Sequence, residues 1–140
     1  MSNRAIVLDA NILIRAVLGK RVRELLIEHA ATVKFFAPDV AYADARKHLP
    51  ALLIKRGISS SAAIRAFDGL ESIVQHIKLT LYGGQQQQAL QRIANCGADD
   101  WTVLACVITI GCPVWTVNSD FFAAGVAIRT TDLVEWYLAG

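Results

Sequence analysis

Short apolar runs alternate with longer stretches of helical spacing along most of this chain. Ala5-Ile-Val-Leu8 is continuous, apolar and largely β-branched, and it stops at Asp9; a run of this kind fits a strand buried on both faces. Val33 to Phe36, closed by Pro38, predicts a second strand. Ile77 to Leu81, Pro113 to Val117 and Ala127 to Thr130 predict three more. Helices fill the intervals. Asn11 is placed to cap a helix from Ile12 to Leu18, which Gly19 ends. Val22, Leu25, Leu26 and His29 recur at helical spacing between Arg21 and Ala31. A helix from about Asp39 toward Lys55 contains Pro50, so a kink or break is expected there. Gly57 stops that segment. Ser59-Ser60-Ser61 offers caps for a helix through about His76, and Gly83-Gly84 turns the chain into a helix from Gln85 to Cys96. Asp99 or Asp100 opens a helix that turns Val103, Leu104, Val107 and Ile108 inward and ends at Gly111. Thr131 or Asp132 caps a last helix to Leu138.

Strands alternating with helices imply a parallel sheet covered on both faces, a three-layer α/β/α domain spanning residues 1–140. No repeat or linker interrupts it. In such folds the ligand crevice lies beyond the carboxyl ends of the strands. Asp9 directly follows the first strand, Asn118 and Asp120 follow the strand from Pro113 to Val117, and Asp100 opens the helix leading into that strand. Residues far apart in sequence are thereby expected at one end of the sheet.

Composition narrows the class. At 140 residues, with 54% apolar and 19% charged residues, the chain is long enough for one folded core. Its most apolar stretch, Trp101 to Val117, is broken by Gly111 and Pro113, short of the roughly 20 residues a membrane helix needs. The N-terminal apolar run meets Asp9 at once, unlike a signal peptide. Three cysteines without a CxxC pair argue against a disulfide framework or zinc site and fit a reducing cytoplasm. The net charge of +2 conceals an asymmetry: residues 1–70 carry eleven Lys/Arg against six Asp/Glu, and residues 71–140 carry three against six. A basic half beside acidic residues suits a polyanion brought to a metal site, and solvated helix faces give the same pattern.

Crowded carboxylates raise one another's pKa unless a cation binds. Mg²⁺ is the natural partner, being hard, octahedral and content with one or two carboxylates, waters and a substrate phosphate. Each acid also has a plainer reading. Asp9 and one of Asp99 and Asp100 suit helix caps. Asp44 suits a surface pair with Lys47 or His48, and Asp120 suits a turn. His29, His48 and His76 lie in helical stretches without ligand spacing. Tyr42, Trp101, Trp115 and Trp136 are read chiefly as packing residues.

The joint pattern resembles a known family. Ile6-Val-Leu-Asp-Ala-Asn-Ile-Leu-Ile14 resembles the opening motif of PIN domains, an apolar strand followed by Asp-x-Asn and a helix. Pro38-Asp-Val-Ala-Tyr-Ala-Asp44 resembles the segment carrying the second acid, Asp99-Asp-Trp-Thr-Val-Leu-Ala105 the helix start carrying the third, and Val114-Trp-Thr-Val-Asn-Ser-Asp-Phe121 the late strand and its acidic end. The resemblance covers nearly the whole chain and is nearest the VapC-type toxin ribonucleases. It implies a PIN-like fold and a Mg²⁺- or Mn²⁺-dependent endoribonuclease. Asp9, Asp44, Asp100 and Asp120 would form its catalytic set, with Asp9, Asp100 and Asp120 on the metal. Asn11 would orient Asp9, and Thr116 and Asn118 would line the pocket. It further implies an RNA substrate, a cognate antitoxin whose segment fills the groove, and a tendency to homodimers. Two departures stand out. Asp44 replaces the family's usual Glu, and Asn118 stands where many members have Asp. They support the alternative of a PIN-like interaction module with weak or no catalysis.

Overall fold

The computed structural model describes residues 4–93, 100–117 and 126–139. Five parallel strands form one sheet: β1 (Arg4–Leu8), β2 (Val33–Pro38), β3 (Val74–Ile77), β4 (Val114–Trp115) and β5 (Ile128–Arg129), in the order β3-β2-β1-β4-β5. Eight α-helices accompany them among the described residues: α1 (Ala10–Leu18), α2 (Arg21–His29), α3 (Asp39–Arg56), α4 (Ser60–Gly69), α5 (Leu79–Tyr82), α6 (Gln86–Arg92), α7 (Asp100–Ile110) and α8 (Thr131–Leu138). This is the three-layer α/β/α arrangement expected from the alternation of runs.

Alternation along each strand divides the core into two halves. Ile6, Leu8, Phe35 and Trp115 face α1, α2, α3, α4 and α8. Val7 and Val114 face the other layer, where α7 supplies Val103, Leu104 and Val107. Successive strand residues point to opposite faces, so a strand covered on both must be apolar, as β1 is from Ala5 to Leu8.

The chain winds from β1 outward through β2 to β3, and then returns to place β4 on the opposite side of β1. The seam between β1 and β4 is therefore the topological switch point, where connections leave in opposite directions and open a crevice. Val7 pairs with Val114 and Leu8 with Trp115. The residue after each strand, Asp9 and Thr116, is thus delivered to the mouth of that crevice.

Several local expectations are corrected. Asp9 caps α1 in place of Asn11, its Oδ1 accepting the Ile12 N–H at 3.0 Å. The helix after Ser59 ends at Gly69, and β3 spans Val74–Ile77, earlier than expected. The stretch from Leu79 is a short helix. Its first N–H donates to Asp39 Oδ2 at 3.3 Å, a cap supplied from far back in the sequence. α3 runs unbroken through Pro50. Pro50 and Arg46 are both exposed, so water can satisfy the carbonyl that proline leaves without a donor. Thr130 occupies the cap position of α8, while Thr131 accepts a hydrogen bond from the Trp115 indole N–H at 3.1 Å. Gly57 and Gly111 end α3 and α7 with φ of 66° and 76°, the left-handed conformation that favours glycine. Cys106 is buried and Cys112 half-buried, both as free thiols.

Candidate active site

A cleft of about 80 Å³ opens at the switch point, lined by Asp9, Ala10, Asn11, Ala41, Asp44, Asp100, Thr102 and Val103. Three segments of the chain build it. β1 and the start of α1 bring Asp9 and Asn11. The first two turns of α3 bring Ala41 and Asp44, which at i and i+3 share a helix face. The first turn of α7 brings Asp100, Thr102 and Val103. Three of the four acids singled out in the sequence thus border one space. Asp120, Asn118 and Asp99 lie outside the described residues.

Asp9 is the most constrained member, only 7% exposed. Oδ1 accepts from the Ile12 amide, and Oδ2 accepts from the Thr116 hydroxyl across the β1–β4 seam. Both oxygens are held, which fixes the plane of the carboxylate. Asp9 also sits at the positive end of the α1 dipole, a favourable place for an anion. Burial nonetheless dominates and raises its pKa above the ordinary 3.8. The Thr116 and Ile12 hydrogen bonds oppose the rise, and the negative charge of Asp100 adds to it.

Thr116 was expected only to line the pocket. It binds Asp9 directly, the role expected of Asn11. Asn11 borders the cleft with an exposed side chain, and its backbone amide is what assists Asp9. Asp44 is half-buried. Thr102, buried in the cleft wall, was not singled out from sequence. Its place two residues after Asp100 on a helix start is the only signal that would have found it. His48 is exposed, and His76 stacks on Tyr42 with ring centroids 3.7 Å apart. Neither borders the cleft. Trp115 is fully buried, whereas Trp136 is 83% exposed.

Among the described residues, no group of three or more His, Cys, Asp or Glu is close enough to hold a metal ion. The donor set is still chemically suited to a hard cation. Asp9 and Asp100 repel each other, and Mg²⁺ needs only one or two carboxylates beside water and phosphate oxygens. No helix among the described residues is long and apolar enough to cross a membrane.

Comparison with known proteins agrees with the fold. No curated protein matches the chain in sequence. Among solved structures, VapBC2 from Rickettsia felis, bound to a DNA fragment from their promoter, is similar at a TM-score of 0.66 and 15% identity, covering 90% of this chain and 98% of that one. PAE2754 from Pyrobaculum aerophilum gives 0.72 at 16% identity, covering 97% and 90%. FitAcB from Neisseria gonorrhoeae gives 0.61 at 18% identity, covering 90% and 97%. At these identities the likeness is one of fold. The family model of the PIN domain matches residues 7–139. With the match running from the middle of β1 to the end of α8, over a sheet that sets Asp9, Asp44 and Asp100 around one cleft, the chain belongs to the PIN-domain family.

Proposed function

We propose that this protein is a metal-dependent endoribonuclease that hydrolyses RNA phosphodiester bonds, and that it is the toxin of a toxin–antitoxin pair. The observation that carries the first part is the meeting of Asp9, Asp44 and Asp100 in one cleft at the switch point of a parallel sheet. A buried carboxylate with a raised pKa, facing a second carboxylate, is unfavourable unless a cation or a proton is present. The family's fold, the VapC-type motifs and the fold shared with VapBC2 and FitAcB support the second part, together with a cognate antitoxin as partner.

Asp9 and Asp100, joined by Asp120, are the residues proposed to hold Mg²⁺ or Mn²⁺. When bound, the metal would activate water and neutralise charge on the scissile phosphate. Thr116 and the α1 N-terminus hold Asp9 in one orientation, so little reorganisation is needed when substrate arrives. Asp44 closes the α3 side of the cleft and completes the acidic set. Its chain is one methylene shorter than the family's Glu, so a water is expected to bridge it to the metal. The basic balance of residues 1–70 gives a polyanion an electrostatic reason to approach.

The test is cleavage of a mixed RNA set with Mg²⁺, with EDTA, and with Asp9→Asn at equal purity. Asp9→Asn keeps the shape and loses the charge, and a loss of at least about 10²-fold in rate is expected, the scale of one preorganised electrostatic group. Cleavage that persists in EDTA, or that the variant retains in full, would rule the proposal out. A parent that cuts no RNA with either metal would favour the interaction-module reading.

A further inference from the structure

The two walls of the cleft stand on different helices, and a buried tyrosine touches the start of both. Tyr82, at the end of α5, is fully buried. Its hydroxyl donates to Oδ1 of Asp39 at 2.5 Å. Asp39 is the first residue of α3, five positions before Asp44. The same carboxylate accepts the Val40 amide at 2.8 Å and the Leu79 amide at 3.3 Å, so α3 and α5 share one anchor. The Tyr82 ring packs against Trp101, with centroids 5.8 Å apart and planes tilted by 57°. Trp101 directly follows Asp100 at the start of α7. Asp39 also lies within electrostatic reach of Cys106 on α7, whose thiol is pushed up by burial first and by the Asp39 charge second. Burial, reinforced by Asp39, keeps the Tyr82 phenol protonated and so a permanent donor.

The chain Asp44–α3–Asp39–Tyr82–Trp101–Asp100 therefore links one wall of the cleft to the other. We propose that Tyr82 is a positioning residue, setting the separation of Asp44 and Asp100 by tying the first turn of α3 to the first turn of α7. Its consequence for metal and catalysis rests on the nuclease reading above. The tie itself is a matter of hydrogen bonding and ring packing in the protein alone. Loss of a partner bonded directly to a ligand carboxylate typically weakens metal binding about 10- to 100-fold, and a tie one step removed is expected at the lower end of that range.

Tyr42 supplies a matched control. It too is buried on α3, and its hydroxyl also donates at 2.5 Å, but to Val74 O, and its ring contacts are Phe67 and His76, away from α7. The experiment measures Mn²⁺ affinity by electron paramagnetic resonance, with Mn²⁺ alone as probe, for the parent, Tyr82→Phe and Tyr42→Phe. Both variants are expected to lower the melting temperature. Only Tyr82→Phe is expected to weaken Mn²⁺ binding, by about tenfold. Asp39→Asn, which weakens the same bond from its acceptor side, should follow Tyr82→Phe and replaces it if that variant does not fold. Equal weakening by both Tyr variants, or none by Tyr82→Phe, overturns the proposal.

Hydrogen exchange in EDTA separates the tie from the metal. Tyr82→Phe should speed exchange at the amides of residues 43–46 and 104–107, and Tyr42→Phe should not speed it at 104–107. If the parent binds no Mn²⁺, the nuclease reading falls, and exchange decides alone: faster exchange at both helix starts sustains the tie, and parent-like exchange removes it.

Discussion

Thr116 donates its hydroxyl proton to Oδ2 of Asp9 across the seam where β1 meets β4. Both residues follow paired strand positions, Leu8 and Trp115, so the sheet register alone brings them face to face. The same register carries the ladder one step further, with the Asp9 amide 3.5 Å from the Trp115 carbonyl.

Thr116→Val keeps the shape and removes the donor. It leaves a buried carboxylate oxygen without that partner, and a hydrogen bond to a charged group contributes about 1.5–3 kcal/mol. Urea unfolding at neutral pH in EDTA should show a loss of roughly 2 kcal/mol on that scale, with Thr116→Ser recovering most of it. Equal stability of the valine variant would mean that the seam bond contributes nothing net.

Asp9 predicts a pH dependence whose sign follows from its raised pKa. The folded protein holds the Asp9 proton more tightly than the unfolded chain, whose value is near 3.8. The stability this contributes is full below 3.8 and is lost as pH rises through the higher folded-state value. In EDTA, Asp9→Asn should therefore be more stable than the parent at neutral pH, and the gap should narrow on acidification. A gap that widens toward low pH would contradict the direction assigned to Asp9.

Divalent metal should remove the same penalty. Mg²⁺ or Mn²⁺ in the millimolar range is expected to raise the melting temperature, because it binds the folded site and relieves the repulsion between Asp9 and Asp100. Asp100→Asn should blunt that rise. Calorimetric scans that superpose with and without metal would exclude a native site of useful affinity.

Pro50 offers a test away from the cleft. It sits exposed inside α3, where proline is less favourable than alanine by about 3 kcal/mol, offset by up to about 1 kcal/mol of unfolded-state restriction. Pro50→Ala should stabilise the protein by roughly 2 kcal/mol on those scales without altering metal binding. A neutral or destabilising result would show that the proline ring itself contributes to the stability of α3.

The parts of this fold that depend on local pattern were legible. β1 announced itself because a strand covered on both faces must be apolar, as Ala5 to Leu8 are, and Gly57 and Gly111 marked helix ends because φ there is positive. The third strand was misplaced for a non-local reason. Leu79–Tyr82 reads locally as part of an apolar run, but the Asp39 carboxylate caps it and the Tyr82 ring is drawn into the α7 layer. β3 itself buries only Val74 and Ile77, with two exposed residues between them, which hides its period. At the site, Asp9, Asp44 and Asp100 were picked out by motif, and the structure sets them around one cleft. The bond from Thr116 to Asp9 was invisible, because it follows from which strands pair and in what register. Asp120 and Asn118 lie outside the described residues and stand as proposals.

The seam between β1 and β4 also places the site in time. Asp9 and Thr116 are 107 positions apart, and contacts of such separation form only after a large loss of chain freedom. A ribosome must make α1 through α7 and then lay β4 beside β1 before Asp9 meets its hydroxyl partner. A nascent chain that has reached only β3 carries the first two acids of the cleft without Asp100 on the opposite wall or the seam bond. Whatever chemistry the cleft performs is thus withheld from a nascent chain until β4 has been made and paired with β1.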